Sequence, residues 1–256
     1  LQSTHGGYVS IQEVEVTLEE LQSLDQEQIL SSCKRPVYYE LESALGSIEG
    51  SNAAKLLSAT CSMHLKPENP KAPFSPKFIM QDRRGLIAND FSKESLNALS
   101  QFCHSVTIPE LQARLADISW VTKVGSVEHA YIAIEAYLES AKQLLAVGES
   151  WVYPAERIER ALRLSCMFRR DTQRPDLFEK LAGFIKSEID SKKLDDSPFY
   201  ALRLLKLSHE CGVGDDDWIL NTAEEIAQTC FELGDTRTAI NGWECALNSA
   251  NSTRNK

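Results

Sequence analysis

The sequence predicts an all-α protein in which antiparallel helical hairpins stack as a solenoid, preceded by a less regular N-terminal part. Three observations support this fold class. Over residues 107–256, helix-capping signals recur, apolar residues are spaced every three or four positions, and the connections between expected helices are short. Short connections favour successive helices that pack as antiparallel neighbours. We therefore expect an irregular region, 1–106, followed by a helical-hairpin region, 107–256.

Composition limits the classes of protein to which the chain can belong. Of its 256 residues, 43% are hydrophobic, and the formal net charge is −10. This acidity disfavours nucleic-acid binding along the whole chain, because neutralising phosphates requires a local excess of Lys and Arg. The seven cysteines are odd in number and widely spaced, which predicts reduced thiols and a cytoplasmic location. No apolar run reaches the roughly 18 residues of a membrane span, so no membrane is expected as a partner.

Residues 1–106 carry few strong helix signals. The stretch "YVSIQEVEV" at 8–16 alternates apolar and polar residues and predicts either a short strand or an extended arm. Thr17 and Asp25 are each followed three residues later by Glu or Gln, which predicts helices beginning near 18 and 26. Since the chain begins at Leu1 rather than at methionine, we also expect it to be part of a longer protein.

A proline-rich segment interrupts this region. Residues 65–78 contain Pro67, Pro70, Pro73 and Pro76, which exclude a helix and favour an extended surface loop. After this loop, helical spacing of apolar residues returns and predicts a helix over 92–105.

From residue 107 onward the sequence predicts one helix after another. Thr107, Pro109 and Glu110 resemble an N-cap, a first-turn proline and the glutamate of a capping box. A broad apolar stripe predicts the next helix over 127–147. Further helix starts are indicated by prolines and by an aspartate that follows a glycine: Pro154, Pro175, Pro198 and Asp235.

The last hairpin has a ladder of small residues, in "TAEEIAQTCFELGDTRTAINGWECALNSA" at 222–250. Its small positions are Ala227, Gly234, Ala239 and Ala246, with Trp243 set between them. Small side chains let two helix backbones approach, so we expect Ala227 to face Ala239 and Trp243. The pattern resembles one tetratricopeptide repeat, a resemblance that implies a helical-hairpin array. An irregular helical bundle with one close-packed hairpin is the alternative.

A second resemblance involves "ELQARLADISW" at 110–120 and "AIEAYLESA" at 133–141. These stretches resemble the helical N-terminal region of a family of uncharacterised bacterial proteins. The C-terminal domain of that family carries an Arg-Asn-x-x-x-His-Gly motif similar to HEPN ribonucleases, which are common in toxins and phage-defence systems. The motif is incomplete here, because Arg254-Asn255-Lys256 ends the sequence. The resemblance implies that any catalysis resides in a further domain.

Three further patterns are candidates for sites of chemistry. Arg203 and His209 have the spacing of a HEPN ribonuclease motif, but packing of their helix explains the pattern as well. Cys61-x-x-His64 and Cys103-His104 offer four zinc ligands. Adjacent residues on a regular helix point about 100° apart, however, so both members of Cys103-His104 cannot easily reach one ion. We therefore predict no catalytic residues, no metal and no cofactor.

One charged feature suggests a binding surface, in "ERIERALRLSCMFRRDTQR" at 156–174. Arginines recur every three residues along a predicted helix and continue beyond its end, and the predicted binding residues are Arg157, Arg160, Arg163, Arg169 and Arg170. We expect the opposite side of this helix to face the core, which leaves the arginines free to reach solvent or a partner. Guanidinium groups suit phosphates and carboxylates, so a partner could follow this stripe. Alternatively, Glu156 and Glu159 pair with these arginines along the helix.

Two functions remain open from the sequence. The first is a non-enzymatic helical-repeat module that binds a protein partner or another domain of the same polypeptide, within a larger cytoplasmic protein. The alternative is the N-terminal sensing or restraining part of a HEPN-like ribonuclease effector. The rest of the reading frame would separate them.

Overall fold

The computed structural model describes residues 14–67, 78–82, 85–150, 152–167, 174–191 and 198–254. Over these residues the chain forms twelve α-helices and one two-stranded antiparallel hairpin. The predicted all-α class is confirmed, with this small hairpin added. The chain divides into two compact units, unit 1 (Leu1–Ala136) and unit 2 (Tyr137–Lys256), and the division falls inside a helix.

Unit 1 contains six complete helices and the first half of a seventh. Its elements are α1 (Leu18–Gln22), α2 (Gln26–Ser31), α3 (Tyr38–Gly46), α4 (Asn52–Ser62), β1 (His64–Pro67), β2 (Phe78–Gln81), a 3₁₀ turn (Ala88–Asp90), α5 (Lys93–Phe102), α6 (Pro109–Val121) and the start of α7 (Val127–Ala146). The helix starts predicted near 18 and 26 are confirmed. Thr17 forms a capping box with Glu20, and the Asp25 carboxylate accepts the Gln28 backbone N–H.

The N-terminal region contains two helices, α3 and α4, that sequence analysis did not predict. The Val37 cap of α3 makes no side-chain hydrogen bond, so its start carries no capping pattern. The start of α4 does carry one, because the Ser51 side chain accepts the Ala54 backbone N–H. The expected strand or arm at 8–16 lies largely outside the described residues, as does the proline-rich segment between 67 and 78. Either side of that segment, β1 pairs with β2, His64 opposite Gln81.

The start of α6 differs from its prediction. Ile108 rather than Thr107 is the N-cap, and it makes no side-chain capping bond. Thr107 instead donates its backbone N–H to the side-chain oxygen of Gln26 at 2.8 Å. Glu110 does not cap the helix, because its side chain turns into the core. Since α6 packs against α3, α4 and α5, it belongs to unit 1, and the compact units therefore divide later than residue 106.

Unit 2 is built from the second half of α7 and five helices. These are α8 (Val152–Cys166), α9 (Pro175–Asp190), α10 (Pro198–Cys211), α11 (Asp216–Glu232) and α12 (Thr236–Arg254). Pro175 and Pro198 occupy first helical positions, as predicted, whereas Pro154 is the third residue of α8. Helix α10 packs against α8, α9, α11 and α12. The stacking of hairpins into a solenoid stays a prediction.

The hairpin of α11 and α12 packs closely through small residues. Gly234 turns the chain with φ +84°, and the Asp235 carboxylate accepts the Thr238 backbone N–H at 3.1 Å. Ala227 and Ala239 are fully buried. The closest approach, however, is made by Gly242, where an added Cβ would lie 2.7 Å from that of Ala227.

Trp243 lies at the edge of this interface rather than inside it. Its side chain is 39% exposed, and its ring lies 5.6 Å from that of Phe231, which is also exposed. The small residue that sets the interhelical distance is therefore Gly242, a position that the sequence pattern did not single out.

Candidate functional sites

The arginines of α8 are not a surface stripe. Arg157, Arg160 and Arg163 are 2%, 5% and 7% exposed. The expectation that they face solvent is wrong, because α8 is buried around most of its circumference, on the arginine side as well as on the side of Ile158 and Leu162. Arg169 and Arg170 lie outside the described residues. A partner could reach the three buried guanidinium groups only if neighbouring residues moved, and their role in binding stays a prediction.

The buried arginines are instead tied into the fold. Arg163 donates to Glu159 at 2.7 Å, four residues earlier on α8. Glu159 also accepts from Arg203 of α10 at 2.7 Å, so one carboxylate bridges two helices. Arg157 donates to the Tyr153 carbonyl and to Glu156, both at 3.2 Å. The alternative interpretation, in which the glutamates of α8 pair with its arginines, describes this arrangement.

Arg203 and His209 each pair with a different acidic residue. Arg203 pairs with Glu159, whereas His209 Nδ1 lies 3.0 Å from an Asp216 carboxylate oxygen. The two residues are six positions apart on α10, a rotation of about 240° around the helix axis. Packing and end-of-helix contacts account for both side chains.

A groove runs along one face of α11. Its volume is about 480 Å³, and it is lined by Ile189 and Asp190 at the end of α9 and by Pro198 and Ala201 at the start of α10. Helix α11 and its C-cap supply the remaining residues of the lining, Thr222, Glu225, Ile226, Thr229, Cys230 and the C-cap Leu233. These positions recur every three or four residues, so a single helix face lines the groove for about 16 Å at about 1.5 Å per residue. Sequence analysis did not find this groove, because its walls come from three helices.

The stretch at 110–120 forms most of α6, and its charged residues are buried. Glu110 and Arg114 are joined at 2.7 Å, with side chains 0% and 9% exposed. Arg114 also donates to the Met63 carbonyl and lies over the Tyr38 ring, 4.8 Å from its centroid. The guanidinium group thus links α6 to α3 and to the end of α4. This network is internal, which makes it structural rather than a binding surface.

The four residues that sequence analysis weighed as zinc ligands, and then rejected, lie in two different surroundings. Cys61 is fully buried in α4, and burial raises the pKa of its thiol to about 12. His64 lies on β1 with its ring 5.2 Å from that of Tyr38. Cys103 and His104 lie instead beside His129 of α7, and one ligand atom from each of these three residues lies within 4.8 Å of the others. We call this group the Cys-His cluster.

The Cys-His cluster has a defined hydrogen-bond network. Cys103 donates its thiol to the Ser100 carbonyl at 3.1 Å, and burial raises its pKa to about 11. The Ser126 backbone N–H donates to His129 Nδ1 at 3.1 Å, so the ring proton resides on Nε2. Nε2 in turn faces the Ser100 hydroxyl at 2.8 Å. His129 was missed from the sequence because only the fold brings it to Cys103 and His104.

Fold and sites together define an all-α protein with two compact units, a Cys-His cluster in the first and a groove in the second. None of the described helices combines the length and apolar character needed to cross a bilayer. A family model described as "Domain of unknown function (DUF7380)" matches residues 11–177, and the chain belongs to this family. No curated protein and no solved structure matches the chain. The family match includes both stretches that resembled uncharacterised bacterial proteins, while the HEPN-like domain stays a prediction.

Proposed function

We propose that the chain is a non-enzymatic interaction module whose unit 2 binds a short segment of a protein partner in the groove along α11. The segment places an apolar side chain between Ile189, Ile226 and Leu233 and a Lys or Arg beside Asp190 and Glu225. The groove itself is the observation that carries this proposal, because its volume of about 480 Å³ is in the range of ligand-binding clefts.

The groove offers apolar contact that the described part of the chain leaves uncovered. Leu233 is 81% exposed, and Ile226 is half-buried. An exposed aliphatic side chain at the rim of a concave surface gains stability when a partner covers it, by roughly 25 cal/mol per Å² of apolar area. At about 3.3 Å per residue, the 16 Å face of α11 accommodates about five residues of an extended peptide.

Charge determines which peptides fit. Asp190 and Glu225 line the groove, and both are exposed in a chain of net charge −10. One Asp190 oxygen accepts the Trp218 indole N–H at 3.2 Å, an orientation that holds the carboxylate in place. A basic residue in the partner is attracted to these carboxylates, whereas an acidic segment is repelled.

A random peptide library displayed on phage tests this proposal. We expect selection on the purified chain to enrich peptides that combine apolar residues with Lys or Arg, and binding of the synthesised peptides to weaken as salt is raised. Thr229→Arg places a bulky cation inside the groove and should reduce affinity by about tenfold or more, as for residues central to an interface.

Gln228→Arg is the matched control. Gln228 is exposed, neighbours Thr229 and bonds to Glu232 at 2.8 Å, outside the groove. The Gln228→Arg variant carries the same new side chain outside the groove, so its affinity for the selected peptides should stay unchanged. Both variants should keep the parental melting temperature. Equal affinities for the two variants, or a selection that enriches no peptide, would reject the groove as the binding site.

The ribonuclease-effector alternative has a different test. It requires a catalytic domain elsewhere in the polypeptide, since Arg203 and His209 each have a separate acidic partner in unit 2. An Arg-x(4–6)-His domain in the remaining reading frame would favour it.

A further inference from the structure

We propose that the Cys-His cluster of unit 1 binds a zinc ion through the Cys103 thiolate and one imidazole nitrogen each from His104 and His129, with water in the fourth position. This site is separate from the groove of unit 2 and does not depend on the function proposed for it. It joins the C-terminal end of α5 to the first turn of α7.

The positions of the donor atoms answer the objection that two adjacent residues cannot share an ion. Helix α5 ends at Phe102, and His104 lies in the turn that follows the C-cap Cys103. Cys103 keeps helical dihedrals, φ −56° and ψ −25°, so the end of the helix alone does not remove the angle of about 100° between neighbouring side chains. One ligand atom of each residue nevertheless lies within 4.8 Å of the others and of His129.

The donor set fits zinc. Zinc takes sulfur and nitrogen ligands in tetrahedral geometry at about 2.3 Å and about 2.0–2.1 Å, which places ligand atoms roughly 3.3–3.6 Å apart. The three donor atoms are already within 4.8 Å, so about an ångström of side-chain movement completes the geometry. His104 is exposed and can supply most of this movement by rotating. Its exposure also leaves the fourth position open to water.

Coordination by either ring nitrogen of His129 replaces the hydrogen bond that Nδ1 accepts from the Ser126 backbone N–H at 3.1 Å. If Nδ1 binds the ion, Nε2–H keeps its donation to Ser100, whose carbonyl lies 3.2 Å away. If Nε2 binds the ion, the ring proton moves to Nδ1, and the ring must turn from the Ser126 N–H toward the Ser126 hydroxyl, which lies 3.4 Å away. A histidine ligand usually donates its other ring N–H to such a group, which fixes the orientation of the ring.

Gly125 holds the ring from the other side. A Cβ at this position would lie 2.6 Å from the His129 ring, so no larger residue fits without displacing it. The turn between α6 and α7 is thus built against His129 on one side and leaves the ring beside Cys103 and His104 on the other.

Binding exchanges a proton for the metal ion. The Cys103 S–H bond breaks, a zinc–sulfur bond forms, and the proton passes to the buffer. No oxidant or reductant is required. The bound ion stabilises the native state relative to the unfolded chain. At zinc concentrations above the dissociation constant, the melting temperature should therefore rise with the logarithm of the zinc concentration.

Cobalt(II) is the spectroscopic probe, added to chain stripped with a chelator and handled under reducing conditions. We expect the visible bands of tetrahedral cobalt and a thiolate-to-cobalt charge-transfer band, which disappear when one equivalent of zinc is added. A melting curve should shift upward by several degrees with zinc.

Variants identify the ligands. Cys103→Ser should abolish the charge-transfer band, and His104→Ala should weaken zinc affinity by about tenfold or more. Because His104 is exposed, its variant keeps the fold and carries the test even if Cys103→Ser does not fold. Cys33→Ser changes a half-buried thiol that is not one of the three proposed ligands, so it is the control and should alter neither the cobalt spectrum nor the zinc affinity. Absence of the cobalt bands, or bands unchanged in His104→Ala, overturns the proposal.

Discussion

Helices α6 and α8 carry the same local pattern but use it differently. Each has a glutamate followed four residues later by an arginine, Glu110 with Arg114 and Glu159 with Arg163, and each pair is joined at 2.7 Å. In α6 the glutamate side chain is fully buried, and the arginine also donates a hydrogen bond to the Met63 carbonyl. In α8 the glutamate is 14% exposed and shares its carboxylate with the half-exposed Arg203.

The difference shows that an i,i+4 ion pair makes no fixed contribution to the free energy of unfolding. Where both groups are enclosed, removing one leaves a buried charge that has lost its nearest opposite charge in a medium of low polarity. Where the carboxylate keeps a second partner and some water, the remaining charge is still solvated. The surroundings of the pair, rather than its spacing, therefore determine its contribution to stability.

Arg114→Ala in α6 should lower stability more than Arg163→Ala in α8. It leaves the Glu110 carboxylate without its 2.7 Å partner and the Met63 carbonyl without its donor, so we expect a loss of about 3–5 kcal/mol in the free energy of unfolding. Urea unfolding monitored by circular dichroism measures this loss.

The double variant Glu110→Met, Arg114→Met is the control for that prediction. It removes both charges and keeps apolar volume, so it should recover most of the lost stability. A double variant as unstable as Arg114→Ala would show that the Met63 and Tyr38 contacts, rather than the unpaired charge, dominate.

The hairpin of α11 and α12 differs from both α6 and α8, because its described residues bury no charged side chain. There, close packing depends on Gly242. Gly242→Ala places a methyl group 2.7 Å from the Ala227 Cβ and 3.1 Å from the Ala223 carbonyl oxygen, so we expect a loss of about 1–3 kcal/mol in the free energy of unfolding.

Gly183→Ala supplies the matched control. Gly183 lies in α9 with no atom within 4 Å of an added Cβ. Alanine favours the helix by about 0.5–1 kcal/mol, so this variant should be slightly more stable than the parent. Thermal melts of the two variants in parallel measure opposite shifts, and shifts of the same sign would contradict the packing argument.

Arg163→Ala should have a smaller effect than Arg114→Ala or Gly242→Ala, about 1–2 kcal/mol in the free energy of unfolding, because Glu159 keeps Arg203. Arg203→Ala alone should cost less than about 1 kcal/mol, since its side chain is 46% exposed. A double-mutant cycle on these two arginines measures their coupling through Glu159. A loss for Arg163→Ala equal to that for Arg114→Ala would contradict the comparison between α6 and α8.

Local signals predicted most of the helices whose starts carry capping chemistry, although Ser51, the N-cap of α4, was missed. Thr17, Asp25, Pro175 and Asp235 each lie at or beside the helix start that the pattern indicated. Helices without such signals escaped prediction, as α3 did. The capping box expected at Thr107 and Glu110 was wrong, because the same glutamate pairs with Arg114 inside the core.

Sites were harder to predict than helices. The arginine stripe was placed on the correct helix, but its exposure was misjudged, since a helix that is buried on two sides shows no single polar face. The groove and the Cys-His cluster escaped prediction for another reason. Each depends on residues far apart in sequence, as His129 is from Cys103, and spacing along the chain does not encode that proximity.

The sequence by itself determined the all-α class, most helix starts and the close-packed turn at Gly234, because caps, prolines and glycines act on the backbone within a few residues. Tertiary structure alone decided which charges are buried, where Gly242 meets Ala227 and which side chains surround His129. Burial and proximity are properties of a surface that several helices build together. A pattern on one helix cannot specify what covers its faces.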